Sequence, residues 1–196
     1  PYTSPAYSEG KVYFAGGDPA LYCVEVSSGL PLWKLSTDAP ITSSPSAADG
    51  SVFFATSDAL WAVDAVTGDM LWREPMKGTI SSPAISQGRV YVGSDDADFD
   101  CRDALNGDLI WRAKVDSSVK SSPLVAGGVV YFGSYQGVVY ALDLLHHCHV
   151  AHTFLVNLNF IAHAKVLNSN CIVFSSFLFN VRIITLSSYL VYFGIV

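Results

Sequence analysis

The sequence predicts an all-β fold: a partial β-propeller of about three and a half four-stranded antiparallel blades, followed by a non-repeat hydrophobic tail. Three observations predict it. An acid, a glycine four residues on and a tryptophan four beyond that recur at Glu25-Gly29-Trp33, Asp64-Gly68-Trp72 and Asp103-Gly107-Trp111, and a fourth copy opens at Asp143 and stops. A Ser-Pro pair precedes every copy, with its proline at 5, 45, 83 and 123, in steps of 40, 38 and 40 residues. Within each unit, short runs of Val, Tyr and Phe are broken by turn residues, the composition of strands bounded by turn chemistry.

The first unit covers residues 1–40. Val12-Tyr13-Phe14 reads as a strand, Gly16 to Pro19 as a turn and Leu21 to Val26 as the next strand. Gly16-Gly17 has neither a following helix nor a Lys-Ser/Thr, so it reads as a turn rather than a phosphate cradle. The second unit, residues 41–79, is one residue shorter in its central turn. Its Trp61 stands where Tyr22 and Tyr140 stand, and reads as a second aromatic packed between blades. The third unit, residues 80–118, shows four runs: Ser81–Ile85, Arg89–Ser94, Phe99–Ala104 and Leu109–Val115. Asn106-Gly107 between the last two is a strong hairpin turn, since both residues accept positive φ at low cost, and Thr67-Gly68 and Ser28-Gly29 fill the same slot. The fourth unit begins in register with Val129–Ser134, Gln136-Gly137 and Val138–Leu142. His147 then stands in the glycine slot and Ala151 in the tryptophan slot.

The tryptophan has a physical task. One blade is a small sheet with two apolar faces and is not stable alone. An indole buries about 150–250 Å², roughly 4–6 kcal/mol gross at about 25 cal/mol/Å², and is large enough to fill the gap to a neighbouring sheet. Its N–H needs an acceptor there, and a carbonyl of the adjoining blade is the expected one. Cys23 and Cys101 align with Ala62 and Ala141, a slot for a small buried side chain, which cysteine serves as a small hydrophobe.

Ala62-x-Asp64-x-x-Thr67-Gly68-x-x-x-Trp72 resembles the tryptophan-docking motif of the PQQ-like β-propeller repeat family, over about residues 1–145. The resemblance implies a propeller shared by quinoprotein alcohol dehydrogenases, by non-enzymatic outer-membrane assembly lipoproteins and by the accessory propellers of acyl-activating enzymes. The dehydrogenase reading implies PQQ and calcium as cofactors and an extracytoplasmic, periplasmic location. The acyl-activating reading implies the cytoplasm. Such dehydrogenases carry an adjacent cysteine pair, an Asp base and Glu/Asn calcium ligands; this chain has no Cys-Cys pair, and those ligands match no position.

A ring of seven or eight such blades needs roughly 270–320 residues at this period. The expectation is therefore a repeat domain at 1–145, part of a larger propeller, joined to a tail at 146–196. All seventeen acids lie at or before Asp143, with nine of the eleven basic residues, so the repeat region carries a net charge of −8. That acidic surface without a basic stripe argues against nucleic acid. The tail has no acid, proline or tryptophan, and holds all five histidines. It reads first as sequence never selected to fold, such as an intron or a shifted frame. The alternatives are a membrane segment across 172–196, interrupted by Asn180 and Arg182, and a packed extension. His146, His147, Cys148, His149 and His152 supply metal-ligand types, but no rigid frame for them is visible.

Asp96-x-Asp98-x-Asp100 resembles the opening of a calcium loop. The glycine expected next is Cys101 and the closing acid is Gly107, so only a weak cation site is expected at Asp96, Asp98 and Asp100. Asp96 also aligns with the turn residues Asp18 and Asp58. The sequence presents no Ser/His/Asp constellation, since all five histidines are in the tail and none is in the repeats. The residues expected to matter are structural: the three acids with Asp143, Gly29, Gly68 and Gly107 in the turns, and Trp33, Trp72 and Trp111 between blades. The function expected is a non-catalytic binding or scaffold module whose partner is a protein, a peptide or the remaining blades of a propeller.

Overall fold

The computed structural model describes residues 3–78, 81–144 and 154–155, and among these every regular element is a strand. The first blade is β1 (Ala6–Ser8), β2 (Lys11–Ala15), β3 (Ala20–Glu25) and β4 (Pro31–Ser36). The second is β5 (Ser46–Ala48), β6 (Ser51–Ala55), β7 (Ala59–Asp64) and β8 (Met70–Pro75). The third is β9 (Ala84–Ser86), β10 (Arg89–Gly93), β11 (Asp98–Asp103) and β12 (Leu109–Lys114). The fourth is β13 (Leu124–Ala126), β14 (Val129–Gly133), β15 (Val138–Asp143) and the two-residue β16 (Phe154–Leu155). Each blade is a sequential antiparallel meander, so the fold is a run of four propeller blades.

The turn chemistry sets this topology. Between the first two strands of each blade, Glu9-Gly10, Asp49-Gly50, Gln87-Gly88 and Gly127-Gly128 all have positive φ, the paired left-handed geometry of a two-residue hairpin turn. In the first three blades the third and fourth strands shift register by one residue, at Cys23/Val24, Ala62/Val63 and Cys101/Arg102. This repeated bulge tightens the twist before the acid-to-glycine turn.

The innermost strands are shorter than their apolar runs. In the third blade the strand begins at Ala84, not Ser81, because Ser81 spends its hydroxyl on its own blade and Pro83 has no N–H to give a ladder.

The core lies between sheets rather than within one. Tyr13, Leu21 and Cys23 of the first blade pack with Val52, Phe54, Trp61 and Val63 of the second. Phe53, Leu60, Ala62 and Trp72 then meet Val90 and Val92 of the third. Tyr91, Phe99 and Cys101 meet Val130, Phe132, Tyr140 and Leu142 of the fourth, with Phe99 and Phe132 stacked at 3.7 Å. Strand alternation gives each sheet two apolar faces, one per neighbour. Trp61 takes the inter-blade place its alignment gives it: it stacks on Phe54 at 5.7 Å and donates from Nε1 to Thr56 Oγ1 at 3.1 Å.

Among the described residues no helix is long and apolar enough to cross a membrane. The segment 172–196, the histidine-rich run from 146 to 152 and the three readings of the tail lie outside the described residues.

Candidate functional site

The most specific constellation is the one that joins blades. Trp33 leaves β4 and lies against the glycine turn of the next blade, where a Cβ on Gly68 would come within 2.6 Å of its ring. Its Nε1 donates to Ala65 O at 3.3 Å, and Tyr13 Oη donates to the same oxygen at 3.1 Å. Trp72 repeats this one blade on, with Nε1 to Ala104 O at 3.0 Å and its ring against Gly107. Both glycines sit near φ +79°, where an L side chain is strained, and both leave room for an indole. The acceptor is a carbonyl of the adjoining blade, in the residue after the repeat acid.

The third junction is built differently. Leu144 O, equivalent to Ala65 O and Ala104 O, accepts from Arg89 Nη1 at 2.7 Å. Trp111 stays half-buried against Tyr91 and Phe99, at 6.1 Å from each. Tyr91 Oη is buried with no hydrogen-bond partner among the described residues, and burial pushes its pKa up to about 12.

The repeat acids are turn organisers. Asp64 Oδ1 accepts from the backbone N–H of Val66 and of Thr67, each at 2.8 Å, and those bonds hold its carboxyl below the ordinary range. Asp103 Oδ1 accepts from Leu105 N at 2.8 Å and Asn106 N at 3.4 Å. In the first blade Glu25 instead accepts from Ser28 Oγ. Asp143 ends β15, paired with Val129.

The Ser-Pro pairs, visible in the sequence only as punctuation, tie blades together. Ser4 N donates to Ser44 Oγ at 2.8 Å, and Ser44 N to Ser82 Oγ at 3.0 Å. In the last three units the serine before the pair clamps its own blade: Ser43, Ser81 and Ser121 accept from Ala55 N, Gly93 N and Gly133 N. Spacing located these residues, but nothing in it shows which neighbour each hydroxyl meets.

The acidic run of the third blade is held by the chain's own cations. Asp100 is 0% exposed, with Oδ1 accepting from Arg112 Nε at 2.6 Å and Oδ2 from Arg112 Nη2 at 2.8 Å and Arg102 Nη2 at 3.0 Å. Arg102 also donates to Gly107 O and reaches Glu74 of the second blade at 3.3 Å. Asp98 pairs with Lys114 at 3.0 Å, and Lys114 also donates to Asp96 O. Among the described residues, no three His, Cys, Asp or Glu side chains converge as metal ligands. A calcium ion here would have to displace two guanidinium groups, so these acids do not fit that cofactor.

The sequence model of the family described as outer membrane protein assembly factor BamB matches residues 2–82 and again 60–156. The chain belongs to this PQQ-like propeller repeat family. BamB from Moraxella catarrhalis superposes with a TM-score of 0.67 at 16% identity, over 72% of this chain and 46% of that one. The computationally designed Ika8 protein gives 0.71 at 20% identity, over 89% of this chain and 54% of that one. Quinohemoprotein alcohol dehydrogenase from Comamonas testosteroni gives 0.65 at 14% identity, over 85% and 38%. The chain thus spans about half the length of BamB and Ika8, and less of the dehydrogenase. No curated protein sequence matches it.

One further surface of this PQQ-like chain stands out. Leu32, Met70, Leu71 and Leu109 on the outermost strands and Val66 and Leu105 in the turns are exposed, Leu105 at 87%. Because the Gly68 turn lies on Trp33 and the Gly107 turn on Trp72, each exposed turn residue comes beside the outer strand of the preceding blade. The outer rim therefore carries exposed apolar residues on each of three blades.

Proposed function

We propose that the chain is a non-catalytic PQQ-like binding module that docks a protein partner along the outer rim. The observation that carries this reading is the recurrence of exposed apolar residues, Leu32, Val66, Met70, Leu71, Leu105 and Leu109, on the outer strands and turns of three successive blades. Apolar side chains left exposed together on one rim are where a protein partner docks. Of the acids that resemble a calcium loop, Asp98 and Asp100 are committed to Arg102, Arg112 and Lys114. The family description, an outer-membrane protein assembly factor, supports a polypeptide ligand.

The test is a pair of titrations on the whole chain, one with an outer-membrane β-barrel protein diluted from urea and one with PQQ plus calcium. The polypeptide is expected to bind, and the triple variant Val66→Glu, Leu71→Glu, Leu105→Glu to weaken it by about tenfold or more, roughly 1.4 kcal/mol. Saturable binding of PQQ with calcium, with no polypeptide binding, overturns this reading in favour of a piece of a quinoprotein dehydrogenase.

A further inference from the structure

The acid-to-glycine turns of the first three blades share one slot, whose side-chain oxygen accepts from the backbone N–H two residues on. Ser28 Oγ accepts from Leu30 N and Thr67 Oγ1 from Asp69 N, each at 3.2 Å. In the third blade Asn106 Oδ1 accepts from Asp108 N at 3.0 Å. A hydroxyl completes the turn and brings no further chemistry. A carboxamide also sets an electrophilic carbon, Cγ, next to the backbone nitrogen of Gly107, and glycine has no Cβ to shield that nitrogen. Asn106 is the only asparagine between residues 1 and 156, and the only one in the chain followed by glycine.

In the folded chain both reacting groups are engaged. Gly107 N donates to Asp103 O at 3.0 Å, and Gly107 O accepts from Arg102 Nη1 at 2.9 Å. Asn106 Nδ2 donates to Asp108 Oδ2 at 2.7 Å, which pins the carboxamide from its other end. Asn106 is exposed, but Gly107 is buried beneath the indole of Trp72, to which a Cβ on the glycine would come within 2.9 Å. Attack on Cγ needs the nitrogen free and the carboxamide turned, so the Asp103 and Asp108 bonds must break and the turn must lift from the indole.

We propose that Asn106-Gly107 is a deamidation site gated by the docking of the third blade onto the second. When the turn opens, hydroxide takes the Gly107 N–H proton and the nitrogen bonds to Asn106 Cγ. The carboxamide nitrogen takes up a proton and leaves as ammonia, giving a succinimide ring. Water then opens the ring at either carbonyl, leaving aspartate or isoaspartate at position 106. The sum consumes water and releases ammonia, with no oxidant or cofactor. Aspartate puts a new carboxylate between Asp103 and Asp108 in the sequence. Isoaspartate lengthens the main chain by a methylene just before Gly107, so the glycine loses its seat under Trp72. Deamidation thus weakens the junction that restrains it.

Incubation of the full chain at alkaline pH, in buffer and in urea, tests this by mass spectrometry of the peptide that holds position 106. The folded chain should react about tenfold or more slowly than the chain in urea, the factor being set by the opening equilibrium of the turn. Equal rates overturn the gate, and no reaction in urea overturns the site. Native-state hydrogen exchange gives a readout that needs no variant. The Gly107 amide should be protected by a factor matching the slowing of deamidation, because both need the Asp103 bond broken. An unprotected Gly107 amide beside a slowed reaction overturns the mechanism. Trp72→Phe keeps a ring in the junction but gives up the bond to Ala104 O, and should speed the folded-state reaction. A folded Trp72→Phe chain that reacts at the parent's rate removes the second blade from the gate. Asn106→Thr puts the second blade's own residue in the slot. On prolonged incubation the parent's urea midpoint should fall while that of Asn106→Thr holds. A parent whose midpoint holds although position 106 is modified overturns the effect on the junction.

Discussion

Gly68 lies directly under the indole of Trp33, so close that a Cβ on the glycine would come within 2.6 Å of the ring. Gly50 has almost the same backbone, φ +74° against +78°, and open space around it. The pair separates two costs. Gly50→Ala should lose only the left-handed conformational term, about 1–2 kcal/mol. Gly68→Ala should lose a further 1–3 kcal/mol or so from overpacking. Urea unfolding of both variants measures the difference. In the background of Trp33→Ala the extra cost at Gly68 should vanish, since the group it strikes is gone.

Trp72 is 7% exposed and bonded to Ala104 O, whereas Trp111 is half-buried and leaves Leu144 O to Arg89. Trp72→Ala is expected to destabilise the array by about 3–5 kcal/mol. Trp111→Ala should cost clearly less, because the indole is only half-buried and, among the described residues, bonds no carbonyl. Equal losses in denaturant melts would contradict the difference between the two junctions.

That contrast also shows what the sequence could carry. The spacing of acid, glycine and tryptophan fixes the blade, and the demand that an indole find an acceptor points to the neighbouring carbonyl, because these are local or nearest-neighbour facts. The role of Ser44 and Ser82 is illegible in spacing, because their partners are some forty residues away and chosen by how blades are set against each other. The acidic run of the third blade misleads for the same reason. Asp96, Asp98 and Asp100 look like cation ligands in one dimension, and only the fold brings Arg102 and Arg112 onto Asp100. The outer rim needed the docked turns: Val66 comes beside the first blade's outer strand only because Gly68 meets Trp33.

Cys23 and Cys101 are free thiols with no solvent exposure. Burial raises both pKa values, that of Cys101 to about 11. Since the thiolate is the reacting species, alkylation at pH 8 should be very slow at these two positions in the folded chain and fast in urea. Peptide-level mass spectrometry after pulse labelling reads each cysteine separately. Prompt labelling of Cys101 under native conditions would mean that the junction between the third and fourth blades opens readily.

Asp64 accepts two backbone N–H bonds in its ionised form, and its pKa is held below the unfolded value of roughly 3.9. A depressed carboxyl adds stability that is present above the unfolded pKa and is lost as pH falls through the folded one. The loss should therefore begin below about pH 4. Asp64→Asn keeps an oxygen acceptor for Val66 and Thr67 but does not titrate. Its urea midpoint should fall less steeply than the parent's in that acid range, and parallel curves would remove the carboxylate from the account.

The buried charges of the third blade give the sharpest test of what they contribute. Asp100 and Arg102 stand where the second blade has Trp61 and Val63, so an ion pair has replaced an aromatic and an aliphatic side chain together. Removing one member leaves a buried charge uncompensated, and Asp100→Ala should cost about 3–5 kcal/mol. Arg102→Ala should cost less, since Arg112 still neutralises Asp100, although Glu74 loses its partner across the junction. Changing both to the repeat's own residues, Asp100→Trp with Arg102→Val, should come out near neutral or stabilising, because a well-packed apolar pair avoids the desolvation cost. Denaturant melts of the two single variants and the double variant decide it. If the double variant is as weak as Asp100→Ala, the ion cluster supplies stability that packing cannot replace. If it is as stable as the parent, the cluster's contribution is selectivity: the Arg102–Glu74 contact ties the third blade to the second, and an apolar face would accept any neighbour.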